Sequence, residues 1–167
     1  MTCIVAKVSD GKVHMAGDKL GSNGYTGSIS KRPKIFFNGE FLVGFCGSFR
    51  IGQLLEFSWS PPGRLEGTPL DAYIYNSVVG SVKEMIHYDG VEELGSGDGI
   101  LFGYRGNIFS MQEDYALFEY DDYVSIGCGE SEAMASLFTL SHIDHGLTPE
   151  EELAWAIRSA AVSKVGV

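Results

Sequence analysis

Cysteine, proline and positive charge are all scarce in this chain. Three cysteines, Cys3, Cys46 and Cys128, form an odd set without Cys-x-x-Cys spacing, so no disulfide framework is expected and each reads first as a small buried hydrophobe. Twelve Lys and Arg stand against 22 Asp and Glu, a net charge of −10. With no basic cluster to offset it, that balance repels a phosphate backbone and argues against a nucleic-acid partner. No apolar run approaches a membrane span, and the apolar start at Met1 meets a charge at Lys7, too soon for the hydrophobic region of a secretory signal. No membrane attachment is expected, and a reducing cytoplasm suits the free thiols.

Aromatic residues are plentiful: 10 Phe, 8 Tyr and 2 Trp within a 44% hydrophobic composition argue against disorder. At 167 residues the chain suits one domain, 1–167, which buries roughly two-thirds of its unfolded surface. Thr2 to Val8 and Lys12 to Ala16 are β-rich runs parted by Asp10-Gly11, a strong hairpin signal. With those two as the loop, facing positions sum to 21, so Asp18 faces Cys3, next to Thr2. Ile35 to Phe37 and Phe41 to Cys46 repeat the device around Asn38-Gly39, and Ile100 to Tyr104 meets Ile108 to Met111 across Arg105-Gly106-Asn107.

Helical spacing follows in Leu70, Ile74, Val78, Val82, Met85 and Ile86. Thr68-Pro69 with Asp71, and Thr148-Pro149 with Glu151, both read as cap, first-turn proline and capping box. The second opens a helix through Leu153, Ile157, Ala160 and Ala161. Met134, Leu137, Phe138 and Leu140 outline another, and Ser48 to Phe57 a shorter one. Lys19 to Ser30, Ser58 to Gly67 and Asp89 to Asp98 read as loops. Strands, helices, strands and helices in that order make an α+β class.

Thr2 carries the most chemical information. Removal of Met1 before this small residue leaves a free threonine amine, which titrates near pH 8 and so can take a proton from its own hydroxyl. A buried lysine near that hydroxyl favours its ionised form, and a carboxylate keeps the lysine in place and charged; the chain supplies Lys34 at the next strand start and Asp18 beside Thr2. Other signals are thinner. His142 and His145 lack a third ligand and read as a solvated helix end. Gly95-Ser96-Gly97-Asp98-Gly99 precedes a strand rather than a helix, which speaks against a phosphate loop. Cys46 as a nucleophile needs a histidine partner, for which only His14 is conceivable. The run Glu113 to Asp122, interleaved with Tyr115, Phe118 and Tyr120, reads as a strand with a solvated face.

Thr2-x-Ile4-Val5, Ala16-Gly17-Asp18, Lys34 and Gly44-Phe45-Cys46-Gly47 resemble the β-subunits of the proteasome and the bacterial HslV peptidase over roughly the first 50 residues. Sixteen positions separate Thr2 from Asp18 and sixteen more lead to Lys34, the family's spacing of nucleophile, aspartate and lysine. Ser125-Ile126-Gly127-Cys128-Gly129 is similar to the glycine-serine-glycine before the family's third helix. The resemblance implies the N-terminal nucleophile hydrolase fold, a four-layer αββα sandwich of two antiparallel sheets between helix layers. It implies a threonine peptidase acting on peptides or unfolded proteins without cofactor or metal. Homo-oligomeric stacked rings of six or seven subunits follow from it too, with an ATP-dependent unfoldase as partner. By the same resemblance Gly47 offers an oxyanion-hole N–H, Ser22 aligns the substrate backbone, and Phe45 lines and shortens the pocket for the side chain before the cut. Two departures stand out: Cys128 replaces the serine that supports the threonine, and no carboxylate follows Glu152 in these residues, so the family's late aspartate, which with a serine from Val162 onward orients the N-terminus, is missing or lies beyond Val167. They make a catalytically silent ring subunit the alternative.

Overall fold

The structure, a computed structural model, describes residues 2–22, 25–90 and 94–163. The first hairpin joins β1 (Cys3–Ser9) to β2 (Lys12–Gly17) in the register that Asp10-Gly11 demands, Ser9 opposite Lys12 and Ile4 opposite Gly17. Both loop residues have positive φ, 51° and 69°, as a type I′ turn requires. The ladder runs one bond further, from Asp18 N–H to Cys3 O at 3.2 Å. The stretch read as a loop from Lys19 to Ser30 instead contains a small hairpin, β3 (Leu20–Ser22) against β4 (Gly27–Ile29). Three-residue strands rich in Gly and Ser leave too little alternation to detect.

The second hairpin pairs β5 (Ile35–Asn38) with β6 (Phe41–Cys46), and Asn38 faces Phe41. Its loop is therefore Gly39-Glu40 and not Asn38-Gly39: only Gly39 has positive φ, at 59°, the pattern of a turn with glycine at its first central position. Asn38 closes the hairpin and spends its amide on Leu55 O and Trp59 O, each at 2.8 Å. The third hairpin, β7 (Gly99–Tyr104) with β8 (Asn107–Met111), turns on Arg105-Gly106, so Asn107 is already strand. β9 (Leu117–Tyr120) and β10 (Tyr123–Gly127) complete the strands, with Phe118 about half exposed.

These strands form a three-stranded sheet, β10-β1-β2, and a five-stranded sheet, β5-β6-β7-β8-β9, antiparallel throughout. Helix α1 (Phe49–Phe57) is capped by Ser48, whose Oγ accepts from Ile51 N–H. The Leu70 pattern is helical from α2 (Leu70–Ala72) through a π-helical turn, Tyr73–Val78, into α3 (Val79–Tyr88). Its expected cap fails. Pro69 is extended at ψ 148° and occupies the cap position itself, while Asp71, one methylene shorter than glutamate, turns to Ala72 N–H. In α5 (Pro149–Ser163) the same device closes, with Glu151 N–H on Thr148 Oγ1 at 3.3 Å and Thr148 N–H on Glu151 Oε2 at 2.9 Å. α4 (Glu130–Ser141) precedes it and carries the pattern of Met134, Leu137, Phe138 and Leu140.

Alternation along the strands separates three apolar layers. Phe41, Val43, Phe102 and Phe109 face α1 and the Leu70–Tyr88 helix with Ile74, Val82 and Ile86. Cys3 and Val5 face α4 and α5 through Ala133, Leu137, Leu153 and Ala160. Between the sheets lie Ile4, Ala6, Cys46, Leu101, Ile108 and Ile126. Two helix layers thus enclose two antiparallel sheets, the four-layer αββα sandwich of the α+β class. β1, central in its sheet and buried on both faces from Cys3 to Ala6, carries Thr2 to the point where the layers meet.

Candidate active site

Thr2, 8% exposed, is reached from three directions. Asp18 arrives at the end of β2 and accepts Cys3 N–H on Oδ1 at 2.8 Å and Leu20 N–H on Oδ2 at 2.7 Å. Lys34 arrives from the other sheet, just before β5, its carbonyl taken by Phe45 N–H. Lys34 is 2% exposed, and its ammonium donates to Thr2 Oγ1 at 2.7 Å, Asp18 Oδ2 at 2.8 Å and Leu20 O at 2.6 Å. These partners are oxygen acceptors, which is what a buried ammonium needs. Cys128 follows β10: Thr2 N–H donates to its Sγ at 3.3 Å, and the thiol donates to Thr2 O at 3.4 Å. Gly127, with φ +97°, has no room for a Cβ because Thr2 O occupies that space, so a side chain here would push the Thr2 segment away.

Thr2 opens onto a cleft of about 900 Å³ between the strand ends, whose walls include Gly47, Phe49, Asp98, Gly127, Cys128 and Glu130. Burial raises the Glu130 carboxyl above its ordinary range. Gly47 takes φ +85°, and a Cβ there would overlap the Asp98 carboxylate. This β6-to-α1 turn accepts only glycine.

No protein-family model matches the chain, and no curated protein matches it. Solved structures do. The BPH of Thiobacillus denitrificans in complex with epoxomicin superimposes with TM-score 0.74 over 97% of this chain and 91% of that one, at 22% identity. The eukaryotic HslV of Trypanosoma brucei does so at 0.69 over 98% and 92%, at 17% identity. Anbu, described as an ancestral beta-subunit, from Yersinia bercovieri reaches 0.62 over 98% and 76%, at 14% identity. The fold is that of HslV.

Within this HslV fold Thr2, Asp18, Lys34 and Cys128 come together as one constellation, and Gly47 shares the cleft with Thr2. Odd-numbered β6 positions face α1, so the Phe45 ring packs against Phe36 and Phe49 beneath Gly52, while Phe49, Phe118 and Tyr120 are on the cleft wall. Ser22 ends β3 opposite Gly27. Residues 164–167, where most of the stretch expected to hold the late aspartate and serine falls, lie outside the described residues, as does Met1. Asp98 is the residue that the sequence did not single out, although the glycine-rich run around it was visible.

The competing signals fall away from Thr2. His14 Nδ1 lies 2.8 Å from Glu150 Oε1 and leaves Cys46 without an imidazole. His142 turns to Phe138 O and His145 to Leu147 N–H. Burial pushes the Cys3 thiol up to about 11, and burial with the Asp98 charge pushes Cys46 up to about 12. Only about one part in 10³ to 10⁴ of such thiols is thiolate at pH 8, whereas Cys128 is exposed. Alkylation of the native protein with iodoacetamide at pH 8 is therefore expected at Cys128 alone; raising the pH makes the buried pair more reactive. Peptide mass spectrometry reads the sites, and comparable labelling of Cys46 at pH 8 contradicts the burial argument.

Proposed function

We propose that this chain is the subunit of a ring-forming threonine peptidase, with Thr2 as nucleophile once Met1 is removed. The observation that carries the reading is the buried ammonium of Lys34 at 2.7 Å from Thr2 Oγ1 and 2.8 Å from Asp18. Lysine is almost never fully buried without cause, and a structural ion pair has no need to aim the cation at a hydroxyl at the chain start.

In the proposed cycle the Thr2 amine takes the hydroxyl proton as Oγ1 attacks the scissile carbonyl carbon. Lys34 stays charged and stabilises the developing alkoxide, held by Asp18. The carbonyl oxygen becomes an oxyanion facing the Gly47 N–H. Collapse breaks the C–N bond, and the amine of Thr2 delivers its proton to the leaving nitrogen. Water then attacks the Thr2 ester by the same route and releases the acid. Cys128 holds the nitrogen of Thr2 through a thiol, a weaker partner than a hydroxyl, and Ser22 at the end of β3 aligns the substrate backbone.

A silent ring subunit is favoured by that thiol. The N-terminal mass of the protein from its native host separates the two: loss of Met1 is expected, and retention sinks the enzyme reading, because an acylated nitrogen cannot serve as base. Light scattering tests the assembly. A mass about twelve or fourteen times the 18.1 kDa subunit is expected for two stacked rings; a stable monomer at micromolar concentration contradicts it. A ring enclosing the cleft confines hydrolysis to unfolded chains, which an ATP-dependent unfoldase docked on the outer face would supply.

A further inference from the structure

The Asp98 carboxylate stands on the cleft wall against the turn that carries Gly47. Oδ1 accepts Ser48 N–H at 2.7 Å, Oδ2 accepts Gly95 N–H at 2.7 Å, and Asp98 N–H returns to Gly95 O at 2.9 Å. On the other side of the turn Cys46 Sγ donates to Gly97 O at 3.5 Å. The segment Cys46-Gly47-Ser48 is thus tied at both ends to the loop before β7, and the bare Cα of Gly47 lies under the carboxylate, where a Cβ would come within 2.9 Å of Asp98 Cα.

We infer that Asp98 is a positioning residue that aims the Gly47 N–H at the oxyanion, an inference that rests on the peptidase reading above. Glycine is required here by φ +85° and by the close approach, but glycine is also the residue with most backbone freedom. An oxyanion donor needs the opposite, an amide fixed before the charge appears. Asp98 supplies that fixity from outside the turn. Its charge-assisted bond to Ser48 N–H holds the peptide that follows Gly47. The same bond occupies the neighbouring donor, so Gly47 N–H is left to face the substrate oxygen. A carboxylate at the first turn of α1 is also well placed for the helix dipole.

The test uses the assembled protein with a peptide substrate, a peptide aldehyde and the matching peptide acid. Thr2 Oγ1 adds to the aldehyde carbon as its hydroxyl proton passes to the Thr2 amine, the carbonyl π electrons move to oxygen, and the resulting hemiacetal oxygen occupies the oxyanion position; the peptide acid makes no such bond. Asp98→Ala is expected to lower kcat about a hundredfold with little change in KM. Aldehyde affinity falls by the same factor as kcat/KM, while affinity for the peptide acid is unchanged. Asp98→Asn keeps an oxygen for Ser48 N–H but sets an amide NH₂ against Gly95 N–H, and a loss of roughly tenfold is expected; it carries the test if the alanine variant does not assemble. Undiminished kcat and aldehyde affinity in Asp98→Asn overturn the inference, as does a loss shared equally by aldehyde and acid, the mark of a merely structural role. A wild-type protein that hydrolyses nothing overturns the peptidase reading and this inference with it. An active wild type beside an equally active variant overturns this inference alone.

Discussion

Thr2→Ala is expected to abolish peptide hydrolysis, by ~10⁴-fold or more, while leaving the assembled protein intact. The substitution removes a hydroxyl and a methyl from a residue already at the edge of the core. The Lys34 ammonium loses the Thr2 hydroxyl and keeps Asp18 and Leu20 O, so the stability cost is that of one hydrogen bond, about 1–2 kcal/mol. Thr2→Ser keeps the nucleophilic oxygen and its bond from Lys34, and measurable turnover is expected to survive. Peptide hydrolysis, thermal unfolding and light scattering on the three proteins check these outcomes together. Full activity in the alanine variant rules the mechanism out.

Lys34→Ala should lose nearly as much activity, with a second signature that Thr2→Ala lacks. Its ammonium is shared by the hydroxyl and by Asp18, whose side chain is 6% exposed. Without the lysine a buried carboxylate remains uncompensated, and breaking a buried pair costs about 3–5 kcal/mol. The two backbone N–H groups that Asp18 accepts, from Cys3 and Leu20, place the expectation at the lower end of that range. Lys34→Met fills the space of the stem without the charge and should recover packing but not turnover. Activity retained in the methionine variant would show that the cation is structural. A thermal midpoint unchanged in Lys34→Ala would show that Asp18 needs no counter-charge.

Much of the candidate site was legible because it hangs on local rules. Asp10-Gly11 admits one tight turn, and a fixed turn propagates register with a period of two; Asp18 lands opposite Cys3 for that reason alone. The same rule failed by one residue at Asn38-Gly39, where two registers use the glycine and the tertiary bonds of the Asn38 amide to Leu55 O and Trp59 O choose between them. The two Thr-Pro starts show the limit from the other side. Each pattern looks like a capping box, but glutamate at 151 reaches back and aspartate at 71 does not.

Composition, turn chemistry and periodicity were enough by themselves for the α+β class, the three hairpins, the helices and the adjacency of Asp18 to Thr2, since each depends on residues within a hairpin or a helical turn of one another. Only the tertiary structure brought Lys34 across from the second sheet to the Thr2 hydroxyl and set Cys128 against its nitrogen. It also packed Phe45 beneath Gly52 of α1 and put Phe49 on the cleft wall. Asp98 was invisible for the same reason: its role depends on a contact between residues fifty positions apart, and a contact of that kind is fixed by how layers pack, not by the order of residues along either segment.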